Sequence, residues 1–205
     1  YDPSARFSQR GYTVGQSGSI WRYDNLDNIN VPHPARTFIG YYGPNELFQT
    51  PFAVNQANRY GGPYLGNYLL MADRNSIWES SNWGCTGKFT GDNPDWRRLP
   101  GGLPAGVGGR VTSLTYLPAI GNDGRINWRD SIYVTFDNGK VYQYQISTGV
   151  WRARTGDWNL GGDKQVSKLI IDPRNLYDYR TGNGGTAYVS LSNFDGPQVW
   201  QTTND

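Results

Sequence analysis

Few side chains in this sequence have the types and spacing that acid–base or nucleophilic chemistry needs. Glu46 and Glu79 are the only glutamates, and hydrolysis of a glycosidic bond calls for two carboxyls held roughly 5 to 9.5 Å apart. Glu79 directly follows Trp78, at a place where comparable segments carry Arg22, Gln143 and Gln201. A position that accepts acid, base and amide alike is read as polar and outward-facing, not as a catalytic acid. Asp73, Asp137, Asp172 and Asp195 stand in turn contexts, where the side chain hydrogen-bonds its own backbone. The single histidine, His33, lies in the rigid run Val31-Pro32-His33-Pro34 and is read as a loop residue at the surface. One histidine and one cysteine, Cys85, supply neither a zinc cluster nor an internal disulfide. No catalytic residue, metal ligand or cofactor is therefore assigned. The pairs Gly101-Gly102 and Gly108-Gly109 lack the strand-then-helix setting that a phosphate-cradling loop requires.

Recognition is better represented than catalysis. Trp83, Trp128 and Trp158 fall in loop-like contexts (Asn-Trp-Gly-Cys, Asn-Trp-Arg-Asp and Asp-Trp-Asn-Leu). Exposed aromatics beside Arg or Asn are what protein interfaces and sugar platforms use. These three, with Arg129, are the candidate contact residues.

The elements that must carry them are strands. Twenty-seven glycines, 12 prolines and 15% aromatics accompany only two glutamates and four lysines in 205 residues, a balance that starves helices and favours strands joined by turns. Nothing is long and apolar enough to span a membrane. The formal charge of +2 is spread without basic runs, so nucleic acid is not an expected partner.

Four segments share one plan: Tyr12 to Asn25, Tyr68 to Asn82, Tyr133 to Ile146 and Tyr188 to Thr203. Each opens on tyrosine, continues as a short alternating strand, turns through Gly, Asn, Asp or Ser, and returns with a large aromatic. These are hairpin signals, strongest at Asp137-Asn138-Gly139. The returning aromatics Trp21, Trp78, Tyr142 and Trp200 recur at intervals of 57, 64 and 58 residues, and the tyrosines Tyr12, Tyr68, Tyr133 and Tyr188 at 56, 65 and 55. Apolar strands Val111 to Pro118 and Val166 to Pro173 precede the last two hairpins, and Phe52 to Asn58 does so for the second. Trp-Arg strands at Trp96 and Trp151 follow two of them, so Trp21, Trp78, Trp96, Trp151 and Trp200 are assigned to packing. Extra loop length is expected at Asn82 to Pro94 and at Ala119 to Asp130. Four short antiparallel strands per unit is the anatomy of a propeller blade. The expected fold is all-β, a β-propeller arc of about 3.5 four-stranded blades belonging to a larger propeller. Approximate blades are 1–48, 49–105, 106–160 and 161–205. In this alignment residue 1 ends a first strand and Asp205 ends a third, so the missing strands are expected from a longer protein, a second copy or a partner.

The run Leu169-Ile170-Ile171-Asp172-Pro173-Arg174-Asn175, with Thr186 to Ser192 and Val199 to Asp205, resembles the BNR or Asp-box repeat of sialidase-like, xyloglucanase-like and sortilin-type propellers. Thr203-Asn204-Asp205 would open the Ser/Thr-x-Asp-x-Gly-x-x-Trp box. Ser80-Ser81-Asn82-Trp83 and Ser147-Thr148-Gly149-Val150-Trp151 depart from the pattern by lacking its aspartate. The box is a structural turn, so the resemblance implies a fold and not an activity. A sialidase-like site would require an arginine triad and a tyrosine nucleophile, and the single arginines Arg22, Arg59, Arg110 and Arg129 cannot be assigned to one. The expectation is a non-enzymatic binding or scaffold module that presents loops to a protein partner, or to the remaining blades, in an extracellular, periplasmic or cell-surface assembly. The alternative is a fragment of a glycoside hydrolase with carbohydrate as its ligand.

Overall fold

The structure, a computed structural model, describes residues 11–15, 19–23, 36–39, 51–55, 68–81, 96–155, 165–172, 174–192 and 199–202. Every named element among them is a β-strand, in four sheets. The described residues contain no helix long and apolar enough to cross a membrane. The first sheet orders β1 (Gly11–Val14), β2 (Ile20–Tyr23) and β3 (Arg36–Phe38) side by side. The second runs β4 (Phe52–Val54), β5 (Leu69–Ala72), β6 (Ile77–Ser80), β7 (Arg97–Arg98). The third contains β8 (Val111–Ile120), β9 (Ile126–Phe136), β10 (Val141–Gln145) and β11 (Val150–Ala153), and the fourth β12 (Val166–Ile171), β14 (Ala187–Leu191) and β15 (Val199–Thr202). All these neighbours are antiparallel, which short turns between consecutive strands permit. One strand leaves its own sheet: β13 (Tyr177–Asp178), between β12 and β14 in sequence, pairs in parallel with the end of β8.

Three apolar cores lie between successive sheets. Ile20 and Ile39 of the first meet Leu69, Met71 and Trp96 of the second. Leu70, Ala72 and Ile77 meet Leu114, Ile132, Val134, Phe136 and Tyr144 of the third. Leu117, Tyr133 and Val141 meet Val166, Leu169, Ala187 and Val189 of the fourth. The period of two in a strand sends Leu69 and Met71 one way and Leu70 and Ala72 the other. All four are buried because both faces of the sheet are covered.

Register makes positions in the four sheets comparable. The aromatics Trp21, Trp78, Tyr142 and Trp200 stand opposite Thr13, Met71, Val134 and Val189. Trp78, Tyr142 and Trp200 each pack toward the preceding sheet. One residue on, Arg22, Glu79, Gln143 and Gln201 stand opposite Tyr12, Leu70, Tyr133 and Tyr188. Tyr68 is therefore two residues out of register with the other tyrosines; it keeps their face, packing on the core with the third sheet, while Leu70 takes the place opposite Glu79.

Two expectations about local structure are corrected. Glu79 does not face outward: it is 3% exposed, and Arg22 and Gln143 are buried beside it in the sequence of sheets. The face opposite an inward Trp is solvent in a lone sheet, but here the next sheet covers it. The segment Ala119 to Asp130 is not simply a longer loop either, because β8 and β9 extend the hairpin to Ile120 and Ile126. Trp128 is thus a strand residue, 7% exposed. At the other end of β9 the Asp137-Asn138-Gly139 turn into β10 forms as expected, with Gly139 at a φ of 79° that a side chain would strain.

Candidate functional site

Within the β8–β9 pair, Leu117 stands opposite Ser131 and Ala119 opposite Asn127, so Pro118 alone is opposed by Trp128, Arg129 and Asp130. A proline cannot donate to the ladder, and a bulge is where a strand tolerates it. The bulge breaks the alternation and re-aims the side chains it contains. Arg129 turns to the second sheet, where Nε donates to Glu79 Oε1 at 2.6 Å and Nη2 donates to Oε2. The Tyr116 hydroxyl donates to Oε1 at 3.1 Å and Arg97 Nη2 to Oε2 at 3.4 Å. Arg129 also lies over the Tyr68 ring, 5.1 Å from its centroid, within cation–π range. Burial, then the charge of Glu79, push the Tyr116 phenol well above the ordinary tyrosine value. Burial opposes the charge of Arg129, but the hydrogen bonds and charge of Glu79 outweigh it and raise its pKa.

Asp130, from the same bulge, is satisfied in the same way. Gln145 and Asn127 amides donate to Oδ1 at 3.2 and 3.4 Å, and Ser131 and Tyr179 hydroxyls to Oδ2 at 3.1 and 3.0 Å. A carboxylate offers about four lone-pair sites. Both carboxylates have four donors each, so their lone-pair sites are taken up by structural partners. They tie sheets and strands together, and a general acid–base pair is not what this arrangement makes.

A different place has the form of a binding site. A cavity of about 540 Å³ opens where the starting ends of β4, β8 and β12 come together, with Pro51, Val111 and Val166 in its wall. Its polar lining includes Arg110, Thr112, Asp137, Gln165, Ser167 and Lys168. Arg110 and Lys168 are exposed and form no ion pair among the described residues. Asp137 is engaged, its Oδ1 accepting the Arg110 backbone N–H at 2.9 Å. Two cations against one carboxylate leave the lining with a formal charge of +1.

Two further bulges build this wall. In β8 the ladder shifts between Val111 and Ser113, and in β12 between Val166 and Lys168, leaving Thr112 and Ser167 as the extra residues. Each stands two places before a leucine, Leu114 or Leu169, that pairs with the valine opposite the core aromatic. Each carries a hydroxyl that meets a hydroxyl on the next strand: Thr112 to Thr135 at 3.0 Å, Ser167 to Ser190 at 2.9 Å. Thr50, two residues before Phe52, lies outside the described residues.

The residues singled out in sequence do not assemble here. Trp128 and Arg129 sit toward the opposite end of β9, on the order of 20 Å along the strand from the cavity. Trp128 is a packed residue whose carbonyl accepts from Asn55 Nδ2 at 3.0 Å, and Arg129 is committed to Glu79. Trp83 and Trp158 lie outside the described residues, as do Glu46, His33 and Cys85. Arg110 was visible as a lone arginine without an assignment. The hydroxyl two residues ahead of Leu114 and of Leu169 was the signal that could have drawn attention to this wall. No group of three or more His, Cys, Asp or Glu placed to hold a metal occurs among the described residues. No family model matches the chain, and no curated protein matches it.

Proposed function

We propose that this chain is an arc of an Asp-box-type β-propeller, about three and a half four-stranded blades, that serves as a non-enzymatic binding or scaffold module in an extracytoplasmic assembly. What supports the arc is the sheet order: four sheets of consecutive antiparallel strands stack in chain order, each sending its core aromatic, where placed in a core, back to the preceding sheet. What supports binding is the cavity where the first strands of three sheets meet, with two cations, Arg110 and Lys168, that form no ion pair among the described residues, against one carboxylate, Asp137. The partner is an acidic protein segment seated at that opening. Hydrolysis is disfavoured because Glu79 and Asp130, the bulge-linked carboxylates, are saturated by structural donors.

The test is a titration of the chain with acidic, neutral and basic peptides and with neutral and uronic oligosaccharides. Acidic peptides are expected to bind, more weakly as salt rises, and Arg110→Ala with Lys168→Ala to weaken them by roughly 2- to 30-fold, as two exposed charges would. Equal binding of all peptides, or an unchanged double variant, would remove the cavity from the reading. Turnover of an oligosaccharide would replace it with the hydrolase.

A further inference from the structure

The sequence contains two Asn-Gly steps, Asn138-Gly139 and Asn183-Gly184, and the fold treats them oppositely. In such a step the glycine nitrogen, unhindered by a side chain of its own, can attack the asparagine carboxamide carbon. The N–Cγ bond forms, the carboxamide nitrogen leaves as ammonia with the proton lost from the glycine amide, and a cyclic imide remains. Water then opens the ring. Attack at Cγ leaves aspartate; attack at the main-chain carbon leaves isoaspartate, whose backbone runs through the side chain and is longer by one carbon.

Ring closure needs a glycine N–H that is not already donated and a carboxamide free to swing over it. Asn138-Gly139 offers neither. Gly139 N donates to Phe136 O at 3.1 Å, Asn138 Nδ2 donates to Val107 O at 2.7 Å, and Asn138 Oδ1 accepts from Lys140 N at 3.3 Å. Asn183, by contrast, is exposed, and neither its carboxamide nor Gly184 N has a hydrogen-bond partner among the described residues. Glycine is also required there by the fold. Gly184 stands at a φ of 93°, and the Leu176 carbonyl oxygen lies 2.5 Å from where a Cβ would sit. The loop therefore demands the very residue that makes the step reactive.

We infer that Asn183 is a site of spontaneous deamidation and that its conversion loosens β13 from the third sheet. Asn183 and Asp178 form an antiparallel bridge, Asp178 N donating to Asn183 O at 2.9 Å. This bridge closes the loop that lays β13 along the end of β8, where Tyr179 N donates to Ile120 O at 2.9 Å. Aspartate at position 183 sets a like charge opposite Asp178, which destabilises an antiparallel pair. Isoaspartate lengthens the backbone within the bridge itself. Either product adds a negative charge to the loop and weakens the tie between the β12–β14 connection and the third sheet, irreversibly and in proportion to the age of the molecule.

Peptide mapping by mass spectrometry, on the 205-residue chain held folded at mildly alkaline pH, tests the assignment. Asn183 is expected to convert roughly tenfold faster than Asn138, or more, because three hydrogen bonds must open before Asn138 can react. In urea the two rates should converge. Equal rates in the folded chain, faster loss at Asn138, or a difference that persists in urea would overturn the inference. Hydrogen exchange at the Tyr179 amide reads the consequence and should be several times faster in the converted chain. Asn183→Ser keeps a small polar side chain at an exposed position but cannot cyclise, and the same incubation should leave its exchange unchanged. Unaltered exchange in the converted chain, or equal loosening in the serine variant, would overturn the link to β13.

Discussion

Replacing Arg129 by methionine isolates the charge that holds the second and third sheets together. Glu79 is 3% exposed and has four donors, of which Arg129 supplies two; a third comes from Arg97, whose side chain is 71% exposed. Methionine keeps much of the aliphatic length but strands a buried carboxylate on Tyr116 and a solvent-screened arginine. Removing one partner of a buried pair costs about 3–5 kcal/mol, a large share of the ~5–15 kcal/mol that holds a domain folded. Glu79→Leu should cost less, about 1–3 kcal/mol, because Arg129 is 23% exposed and can turn to water, leaving mainly the buried Tyr116 hydroxyl unsatisfied. The double variant carries no stranded charge and should be more stable than Arg129→Met alone. Urea unfolding followed by tryptophan fluorescence, with the m-value held constant, gives all four corners of the cycle. A cost below about 1 kcal/mol for Arg129→Met, or a double variant whose loss equals the sum of the singles, would refute the claim that the pair is desolvated and coupled.

Two other outcomes follow from the same contacts. Tyr116 has a folded-state pKa raised well above 10.0, by burial first and then by Glu79, so the folded state keeps a proton that the unfolded chain gives up. Its contribution to stability is complete below the unfolded value and is lost as pH rises through the folded one; Tyr116→Phe should flatten the alkaline fall in urea midpoint, and an unchanged slope would place the titration elsewhere. At the cavity wall, Thr112→Val leaves the hydroxyl of fully buried Thr135 without its partner at 3.0 Å and should cost about 1–2 kcal/mol. Ser167→Ala, where both hydroxyls are exposed, should cost under about 0.5 kcal/mol. Equal losses at the two sites would mean that burial does not separate them.

The strand pattern was legible because it is local. Alternation, Gly/Asn turns and a returning aromatic are written within about 15 residues, and the hairpins opened by Tyr12, Tyr133 and Tyr188 pair as those signals require, while the one expected from Tyr68 starts at Leu69 with the tyrosine outside the ladder. What a residue faces is not local. Glu79 has the composition of a surface position, and only the neighbouring sheet, 50 residues on at Arg129, makes it buried. Trp128 carried loop-like neighbours, Asn and Arg, because in the bulge opposite Pro118 Asn127 bonds Asp130 within the strand and Arg129 reaches across to Glu79. The cavity was illegible for the same reason: its charges come from segments before β8 and within β12 that share a wall only after the sheets stack.

The row formed by Arg22, Glu79 and Gln143, each on the face covered by the following sheet, then has a physical consequence for the order of the stack. An apolar row alone would let any sheet lie on any other, since hydrophobic contact is not directional. Here each covered interface has a different polar occupant: Arg22 in the first, Glu79 in the second and Gln143 in the third. Glu79 finds its two-point guanidinium on the bulge of the third sheet, while exposed Arg97 of its own sheet adds a single contact at 3.4 Å. Gln143 is held from within its own sheet, its amide donating to Ser131 at 2.9 Å and its carbonyl accepting from Arg154 at 2.8 Å. A sheet stacked out of order would bury Glu79 against a face with no Arg129, leaving it only the solvent-screened Arg97, at a cost of several kcal/mol. Gln143 would lose nothing by the same exchange. The specificity of the order therefore concentrates at the contact between the second and third sheets, while the apolar residues around it supply the adhesion.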